Sequence, residues 1–335
     1  MIKTGIAGSG LIVPDFLRAA ALIPEFEMIQ ICSTPRSLSK AEKLAEEWKI
    51  ASVCTDYEEM LTNPEIDVIY IAVPNHLHYR FSRLALEHGK SVICEKPFCS
   101  TLEETRILKD LAKQKGLFLF EAISNQYFPN YEKVRELLPD LGQMKIAELN
   151  YSQYSRRYDE FKKGNVLPVF DPAKSGGALM DLNVYNIHFL TGLFGKPESV
   201  FYLANIERGI DTSGILILSY PDFQAVCIAA KDCKAPCSIS LQGDQGVIHS
   251  DDAANVFSGF WYEDLKGRRQ EFHENRVTER LYYELLAFAE MYSAKNLDLS
   301  FKRLEHSILV QEILDEARTQ AKIRIIASQT ADSVD

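Results

Sequence analysis

The sequence predicts an α/β protein whose N-terminal domain is a doubly wound parallel sheet and whose C-terminal domain is α+β, with a large, mainly antiparallel open sheet. Short apolar runs and helical stretches alternate over residues 1–122, whereas strand-like segments follow one another without helices from Ser199 to about Phe260. Strands that alternate with helices form right-handed crossovers and a parallel sheet, while consecutive strands pair antiparallel. The motif Gly8-Ser9-Gly10, directly after the first apolar run, is typical of the parallel type.

Residues 1–122 are therefore assigned to a first domain. Its strands are predicted at Ile2–Ala7, Met28–Cys32, around Val53, at Val68–Val73, Ser91–Cys94 and Leu117–Phe120. Its helices are predicted at Leu11–Ile23, Ser39–Trp48, His76–His88 and Leu102–Lys115. This order of elements is that of a nucleotide-binding fold.

The pattern changes after Glu121, and residues 123–335 are assigned to a second domain. Its helices are predicted around Tyr131–Leu138, at Ala178–Leu193, and near Thr278–Tyr292 and Arg303–Ala321. A strand at Lys145–Tyr154 precedes a loop from Lys162 to Gly177, and further strands begin at Ser199. Runs of strands beside runs of helices indicate an α+β domain.

The composition is that of a soluble globular protein and argues against two classes of partner. Hydrophobic residues make up 46% and charged residues 25%, and 335 residues suffice for two cores. The net charge of −10 argues against a nucleic-acid or anionic membrane partner. The chain lacks an apolar run of about 18 residues and the pattern of a signal peptide. We therefore expect a cytoplasmic protein that acts on a small molecule.

Seven cysteines are scattered along the chain. Cys233 and Cys237 lack a second pair at zinc-ligand spacing, so no metal site is predicted. Reduced thiols of a cytosolic protein are the simpler interpretation of this pattern.

The glycine motif lies between the first predicted strand and the helix that begins at Leu11. Glycines here let the backbone approach a pyrophosphate, which then rests on the positive end of the helix. Val13 replaces the third glycine of the G-x-G-x-x-G pattern, and Pro14 is tolerated in a first helical turn. With a strand before it and a helix after it, the motif predicts a Rossmann domain that binds a dinucleotide.

The end of the second predicted strand distinguishes NADP from NAD. An NAD site usually offers an acidic residue there to the ribose hydroxyls. This chain has Cys32-Ser33-Thr34-Pro35-Arg36 and no carboxylate before Glu42. Hydroxyl groups and a guanidinium suit a 2′-phosphate, because arginine binds phosphate in a fork. NADP is therefore preferred over NAD, unless Arg36 is only a solvated loop residue.

Lys96 follows the apolar run Ser91–Cys94 within the tripeptide Glu95-Lys96-Pro97. In an open α/β sheet, the carboxyl ends of the strands deliver residues into the ligand crevice. We expect this lysine to face the reactive end of the nucleotide, which predicts redox chemistry on a bound dinucleotide.

A second group of candidates lies in the helix predicted at Ala178–Leu193. Asp181 and Tyr185 are four residues apart and project from one face, and His188 lies three residues further, close to that face. Gly176-Gly177 before the helix leaves room for another backbone or for a ligand. By pattern alone, helix-start electrostatics is the simpler explanation of Asp181, and core packing is the simpler explanation of Tyr185.

These motifs resemble those of the Gfo/Idh/MocA family, which includes glucose–fructose oxidoreductase and inositol dehydrogenase, and the likeness covers nearly the whole chain. The matching pieces are Gly8-Ser9-Gly10, Val73-Pro74-Asn75 with His78, Glu95-Lys96-Pro97, Glu121-Ala122, and the helix that carries Asp181 and Tyr185. Many members have histidine in place of Tyr185; the tyrosine resembles glucose–fructose oxidoreductase and the dimeric dihydrodiol dehydrogenases, which fits NADP. The chain departs from the family at Asn183, where glycine is usual, and at Asn125-Gln126, where arginine is common in the dihydrodiol branch. These departures leave the substrate open.

The resemblance implies a role for each of these residues. Lys96, Tyr185 and Asp181 would be catalytic. The cofactor would contact Gly8, Ser9, Gly10, Leu11, Ser33, Thr34, Arg36, Pro74, Asn75, His78, Glu95 and Lys96. His188 and Tyr154 would contact the substrate, and the bond before Pro97 would be cis, as in relatives.

A physical argument supports pairing Lys96 with Tyr185. A free phenol ionises at about pH 10, so it is a poor base at about pH 7. Moving that ionisation down by about two to three pH units requires about 3–4 kcal/mol in favour of the phenolate. An ammonium at about 4 Å supplies roughly 4 kcal/mol at an effective dielectric of about 20. Asp181 would then orient the lysine or bind a substrate hydroxyl.

The predicted reaction interconverts a secondary alcohol and a ketone, or a hemiacetal and a lactone, on a sugar, cyclitol or diol, with hydride transfer to or from nicotinamide C4. One alternative is a redox-assisted glycosidase with tightly bound NAD. The other is a nucleotide-dependent sensor or regulator without catalysis, against which the presence of both Lys96 and Tyr185 argues. A homodimer or homotetramer through the C-terminal sheet is expected, because the exposed face of that sheet needs covering.

Overall fold

The computed structural model describes residues 1–324 of the 335-residue chain. These residues form two compact units. The first contains Met1–Ala122 and Glu279–Ile308, and the second contains Ile123–Thr278 and the described residues from Leu309 onward. The division into domains at 1–122 and 123–335 stays a prediction. Residues 279–308, which it assigns to the second domain, belong to the first compact unit.

The chain forms fourteen strands and ten α-helices within the described residues. The strands are β1 Ile2–Ala7, β2 Phe26–Cys32, β3 Ser52–Cys54, β4 Val68–Ile71, β5 Ser91–Glu95, β6 Leu119–Ala122, β7 Met144–Ser152, β8 Ser199–Glu207, β9 Ile210–Ser219, β10 Gln224–Ala230, β11 Ser238–Gly243, β12 Gly246–Ser250, β13 Phe260–Asp264 and β14 Arg269–Phe272. The helices are α1 Val13–Ala20, α2 Leu38–Trp48, α3 Tyr57–Thr62, α4 His78–Glu87, α5 Leu102–Lys115, α6 Pro129–Leu137, α7 Arg156–Lys162, α8 Val184–Phe194, α9 Tyr282–Ser293 and α10 Leu297–Gln320.

The first unit is built on a six-stranded sheet with the order β3-β2-β1-β4-β5-β6. All neighbouring strands in it are parallel, which confirms the predicted doubly wound sheet. Strands β4, β5 and β6 are buried along their whole length, as expected for parallel strands covered on both faces. Because β1 lies between β2 and β4, the strand order reverses beside β1, the position where such sheets bind ligands.

The helices of the first unit follow local sequence signals. Helix α5 begins at a capping box in which the Thr101 side chain accepts from the Glu104 N–H and Glu104 reaches back to the Thr101 N–H. It ends at Gly116, whose φ of 65° terminates the helix in the left-handed conformation. These signals explain why the predicted bounds of this helix agree with the structure.

Helix α9 packs on the first unit through aromatic side chains. The rings of Phe288 and Phe120 stack at 4.4 Å, and the ring of Tyr292 lies 5.1 Å from that of Phe118. The hydroxyl of Ser300, in α10, donates to the Leu119 carbonyl at 3.5 Å. These contacts attach a C-terminal segment to the parallel sheet.

The second unit is built on an eight-stranded sheet with the order β14-β13-β12-β11-β7-β10-β9-β8. All pairs are antiparallel except β7 with β10, which confirms the prediction of a mainly antiparallel sheet. One face carries buried residues such as Leu149, Leu216 and Cys227, and the other carries exposed apolar residues such as Phe201 and Leu203.

Several local features differ from the predicted secondary structure, among them α3 and β14, which the sequence does not predict. The helix predicted at Ala178–Leu193 begins with a π-helical turn, Leu179–Asn183, before α8 continues it. Helix α7 lies where the sequence predicts no helix; the Ser155 side chain caps it by accepting from the Arg157 N–H.

None of the helices in residues 1–324 combines the length and the apolar character that crossing a membrane requires.

Candidate active site

The glycine loop of the first unit lies where β1 meets α1. Gly8 has a φ of 115°, and a Cβ added there would overlap the carbonyl oxygen of Ala72, so only glycine fits. A Cβ at Gly10 would lie 3.7 Å from the same oxygen, an ordinary contact. Gly8 is therefore required by the protein backbone itself, and Gly10 keeps the outer side of the loop open.

The start of α1 suits an anion. No side chain caps this helix, and Pro14 occupies its first turn, where a missing N–H removes no internal hydrogen bond. The N–H groups of that turn and the positive end of the helix are the groups that hold a pyrophosphate in this kind of fold. Leu11, in the loop before the helix, is 76% exposed. These residues fit the predicted dinucleotide.

The end of β2 is joined to the glycine loop. The hydroxyls of Ser9 and Ser33 are hydrogen-bonded at 2.9 Å, and the Ser33 N–H donates to the Cys54 carbonyl at 3.1 Å. Thr34 and Arg36 are exposed, and Arg36 lies in the single turn Pro35–Ser37 just before α2. A guanidinium and hydroxyls at this edge fit a 2′-phosphate.

His78 holds the loop after β4 against the segment after β5. Its Nδ1 lies 2.8 Å from the Pro97 carbonyl oxygen and its Nε2 lies 2.9 Å from the Val73 carbonyl oxygen. Burial lowers the pKa of His78, although these two carbonyls act in the opposite direction. The Lys96–Pro97 peptide bond is cis. A direct contact of Pro74, Asn75 or His78 with the cofactor stays a prediction.

Glu95 points into the sheet interior of the first unit. The Tyr70 hydroxyl donates to its Oε1 at 2.6 Å, and the Tyr70 ring stacks on that of Phe16 at 3.7 Å. Burial raises the pKa of Glu95, and burial raises the pKa of the neighbouring Glu284 well above its usual range. Lys96, half-buried, follows directly at the carboxyl end of β5.

Two buried cysteines flank this segment. Burial raises the pKa values of the Cys94 and Cys99 thiols well above the usual range. Thiols of this kind are inert, so neither residue is a candidate nucleophile.

In the second unit, the glycine pair before the π-helical turn is packed against the protein's own chain. A Cβ at Gly176 would lie 2.7 Å from the Pro168 carbonyl oxygen, and one at Gly177, with a φ of 104°, would overlap the Asp211 carboxylate. The sequence leaves two possibilities for the space beside this glycine pair, another backbone or a ligand. In the structure, another part of the chain lies there.

Asp211 fixes the beginning of the helical run. Its Oδ2 accepts from the Leu179 N–H at 2.6 Å and from the Tyr202 hydroxyl at 2.8 Å. Burial raises the pKa of Asp211 to about 6, although both hydrogen bonds favour its charged form. Sequence reasoning missed this residue, since an aspartate within a predicted strand carries no signal of a distant helix start.

Amide side chains hold the helical run on two sides. Asn125 donates to the Tyr185 carbonyl at 2.8 Å, and Gln126 donates to the His188 carbonyl at 2.7 Å. On the other side, Asn183 donates to the Cys227 carbonyl of β10 at 3.2 Å. Asn125, Gln126 and Asn183 are the positions at which the chain departs from the family pattern, and here they position the backbone that carries Tyr185.

Asp181 is ion-paired with a residue that sequence reasoning missed. The Lys231 ammonium donates to Asp181 Oδ2, and it lies 5.2 Å from the centre of the Phe170 ring. Lys231 follows β10 directly. This position at the end of a strand is the signal in the sequence that could have identified it as a candidate. Tyr185 is 5% exposed, and its ring lies 6.2 Å from that of Tyr151.

The two predicted substrate contacts differ in their surroundings. His188 is fully buried in α8. The Tyr154 hydroxyl donates to Asp159 Oδ1 at 2.6 Å and accepts from the Lys162 ammonium at 2.9 Å, both on α7. Their roles toward a substrate, like the pairing of Lys96 with Tyr185, stay predictions.

Two family models match the chain. The oxidoreductase family with an NAD-binding Rossmann fold, GFO_IDH_MocA, matches residues 2–123. The GFO/IDH/MocA C-terminal domain matches residues 131–249.

The chain is also similar to named proteins along its length. It is 34% identical to scyllo-inositol 2-dehydrogenase (NADP(+)) IolU of Bacillus subtilis (strain 168), over 98% of this chain and 100% of that protein. It is 32% identical to trans-1,2-dihydrobenzene-1,2-diol dehydrogenase of Macaca fuscata fuscata, over 95% of this chain and 96% of that one. The crystal structure of KijD10, a 3-ketoreductase from Actinomadura kijaniata in complex with NADP and TDP-benzene, shares the fold with a TM-score of 0.84 at 20% identity, over 95% of this chain and 97% of that chain. The chain therefore belongs to the Gfo/Idh/MocA family of oxidoreductases, whose N-terminal domain is an NAD-binding Rossmann fold.

Proposed function

We propose that this protein is an NADP-dependent oxidoreductase that interconverts a secondary alcohol and a ketone, or a hemiacetal and a lactone, on a sugar, cyclitol or diol. The observation that carries the proposal is the full-length likeness to a dehydrogenase whose name specifies both NADP and a cyclitol. The open glycine loop and the uncapped start of α1 support a dinucleotide. Arg36 and the hydroxyls of Ser33 and Thr34 support NADP over NAD.

The proposed chemistry assigns distinct tasks to three side chains. The glycine loop and the start of α1 would hold the dinucleotide, whose nicotinamide would supply the hydride-transfer chemistry at its C4. Tyr185 exchanges the proton of the reacting hydroxyl, and Lys96 polarises the substrate oxygen and stabilises the tyrosinate. Asp181 accepts a hydrogen bond from a second substrate hydroxyl, and His188 and Tyr154 complete the substrate contacts.

The substrate we propose is a ring with neighbouring hydroxyl groups. The names of the two relatives specify scyllo-inositol and trans-1,2-dihydrobenzene-1,2-diol, which are both cyclic vicinal diols. In a vicinal diol, one hydroxyl would react at Tyr185 while the neighbouring hydroxyl binds Asp181. The two residues are four positions apart on one helical run, which fits two neighbouring hydroxyl groups.

Replacing Lys96 tests the reaction. Lys96→Met should leave NADPH binding, measured by fluorescence titration, nearly unchanged, and should lower turnover on a polyol panel by orders of magnitude. Lys113→Met, which removes an exposed lysine from α5, is the matched control and should behave as wild type. Unchanged turnover of the Lys96 variant would contradict the proposal.

Two other functions predict different results in the same assays. A redox-assisted glycosidase would hydrolyse a glycoside with no net change in cofactor absorbance. A sensor or regulator would bind NADPH and turn over nothing in a broad panel of polyols and aldoses. The wild-type protein therefore distinguishes the three functions before any variant is made.

We further propose that two or more copies assemble through the open face of the eight-stranded sheet. Exposed apolar side chains of Phe201, Leu203 and Ile215 lie together on β8 and β9, and their burial against a second copy would be favourable. A homodimer or homotetramer of this kind, in the cytoplasm, is consistent with the charge and cysteine pattern of the chain.

A further inference from the structure

We infer that Lys231 is a positioning residue for the proposed reaction: it holds the Asp181 carboxylate and balances its charge, so that Tyr185 exchanges its proton beside a neutralised pair. The inference rests on the proposed function for the roles of Asp181 and Tyr185. It adds a residue from a different element, the end of β10, to the helix that carries both.

The backbone of Lys231 is fixed on both sides. Its N–H donates to the Thr212 carbonyl at 2.8 Å, and its carbonyl accepts from the Ser155 N–H at 2.9 Å. Thr212 belongs to β9, and Ser155 follows β7, so the residue is anchored to the strands that flank β10. The side chain therefore starts from a rigid point of the sheet.

The side chain of Lys231 lies behind the carboxylate that it binds. Its ammonium donates to Asp181 Oδ2, and its exposed fraction is 3%, against 30% for the Asp181 side chain. A buried ammonium is costly without an anion, so the pair forms as a unit. The cation is sequestered, and the anion is the accessible member.

An aromatic wall keeps the ammonium in this position. Its nitrogen lies 5.2 Å from the centre of the Phe170 ring, within the range of a cation–π interaction. Phe170 is buried and stacks on Phe161 at 5.0 Å, with the Tyr158 ring 5.8 Å away. The Phe170 ring beside the ammonium is thus itself held by two further aromatic rings.

The charge of Lys231 matters because of where Asp181 lies. Asp181 lies in the π-helical turn that leads directly into α8, four residues before Tyr185, so its carboxylate is a negative charge on the same helical run as the phenol. A nearby negative charge disfavours the phenolate. The other ionisable groups on the elements around this helical run are Asp211 on β9, Asp232 next to Lys231 in the chain, Tyr151 on β7 and His188 on α8, and the proposed reaction adds Lys96. The Lys231 ammonium is hydrogen-bonded to the Asp181 carboxylate, so its positive charge offsets the negative charge of that carboxylate.

The test measures the oxidation of scyllo-inositol by NADP as a function of pH. The proposed function predicts a rate that rises with pH, and Lys231→Met should move that rise to higher pH by about one to two units. Lys234→Met removes an exposed lysine three residues away and should leave the profile unchanged. Lys231→Arg keeps the charge and should stay close to wild type.

The double variant Asp181→Asn/Lys231→Met separates charge balance from damage to the fold. With both charges removed, the rise should return to the wild-type pH, even though loss of Asp181 raises KM for the polyol. If the double variant instead keeps the shift of Lys231→Met, or if Lys231→Met superimposes on wild type, the inference is wrong. A buried pair replaced by neutral side chains is commonly tolerated, so this variant is expected to fold.

A readout without turnover separates this inference from the proposed function. Ultraviolet absorbance of tyrosinate, taken as the difference between each protein and its Tyr185→Phe counterpart, follows ionisation of this phenol alone. Suppose that the ionisation of Tyr185 moves to higher pH in Lys231→Met, but that the wild-type protein oxidises no polyol. The proposed function would then be rejected, and the electrostatic role of Lys231 would be kept. If Tyr185 ionises with the same midpoint pH in wild type and in Lys231→Met, the electrostatic role of Lys231 is rejected.

Discussion

Gly8 and Gly10 lie in one loop, but different causes account for them. Gly8 has a φ of 115° and no room for a Cβ beside Ala72, so the path of the backbone alone requires glycine there. A side chain at Gly10 would meet only an ordinary contact within the protein. Glycine at the second position is therefore explained by a ligand that approaches the backbone, and for this reason the motif in the sequence predicts a cofactor.

Arg36 provides the residue-scale prediction about the cofactor. Arg36→Ala should raise KM for NADP by roughly 10- to 100-fold, because a hydrogen-bonded charge pair with the 2′-phosphate is lost. KM for NAD, which lacks that phosphate, should stay within about twofold. Steady-state kinetics with both cofactors measures the ratio.

Arg18→Ala is the control for this experiment, since Arg18 is an exposed arginine on α1 that pairs with Asp15. It should affect neither cofactor. Equal losses for NADP and NAD in Arg36→Ala would show that the residue stabilises the loop rather than the phosphate.

Candidate side chains are predictable from sequence to different degrees. Lys96 and Asp181 are found because each stands at a recognisable place, after an apolar run or at a helix start. Lys231 and Asp211 are missed because their partners are 50 and 32 residues away in the chain. A contact of that range follows from the pairing of β9 with β10 and from the path of the helix, which no local pattern contains.

The helical run that carries Asp181 and Tyr185 depends on its first turn. Asp211 accepts from the Leu179 N–H, where a carboxylate complements the positive end of a helix. Gly177 allows this approach because a Cβ there would overlap that carboxylate. The turn that follows, Leu179–Asn183, is π-helical, a form that is frequent at functional sites.

The buried carboxyl of Asp211 predicts a pH dependence of stability. Burial raises its pKa from 3.8 to about 6, so the folded state binds this proton more tightly than the unfolded state does. Its contribution is therefore fully present below about pH 4 and is lost as the pH rises through about 6. Relative to Asp211→Asn, the free energy of unfolding of wild type should fall by about 1–3 kcal/mol between about pH 4 and pH 7.

Urea denaturation across this pH range measures the difference. Asp222→Asn, in the exposed turn between β9 and β10, is the control and should run parallel to wild type. The assignment would be contradicted if the free energy of unfolding of wild type, minus that of Asp211→Asn, stayed constant or increased as the pH rises.

Secondary structure is predicted best where local signals are complete. The bounds of α5 agree because its capping box and Gly116 mark both ends in the sequence. Helix α7 is missed because its seven residues lie in a segment rich in charge, without an apolar period. The π-helical turn is predicted as part of an ordinary helix, since five residues do not distinguish one helical period from another.

At the scale of the whole molecule, the open face of the eight-stranded sheet exposes an apolar surface that a partner could bury. Two cross-strand rows of apolar side chains run over β8, β9 and β10. One row is Phe201, Ile217 and Val226, and the other is Leu203, Ile215 and Ile228. An apolar patch of this kind on a monomer is unusual and marks an interaction site.

Leu203→Arg tests whether a second copy covers this face. Leu203 is 64% exposed, so the substitution should be tolerated by the fold, while a buried arginine without an anion would oppose assembly. Sedimentation velocity should show a dimer or tetramer for wild type and a monomer for the variant. Leu22→Arg places the same charge at an exposed leucine of the first unit and should leave the mass unchanged. An unaltered mass for Leu203→Arg would exclude this face as the interface.

The C-terminal helices show a limit of reading the chain in order. The sequence places α9 in the second domain because it follows that domain's strands. Its aromatic residues Phe288 and Tyr292 pack on Phe120 and Phe118 of the first unit. An amphipathic helix shows that it needs an apolar surface, but its sequence does not say which one.

The sequence by itself determined the fold class and the dinucleotide loop, favoured NADP, and singled out Lys96, Asp181 and Tyr185 as candidates, because each of these inferences depends on short-range order along the chain. Only the tertiary structure decided that Lys231 binds Asp181 and that Asp211 anchors the helix start. Those contacts arise when the helical run packs against β9 and the end of β10, which follow it by 32 and 50 residues in the chain. Burial then makes each charge depend on its partner, since an isolated charge in the interior would be too costly to keep.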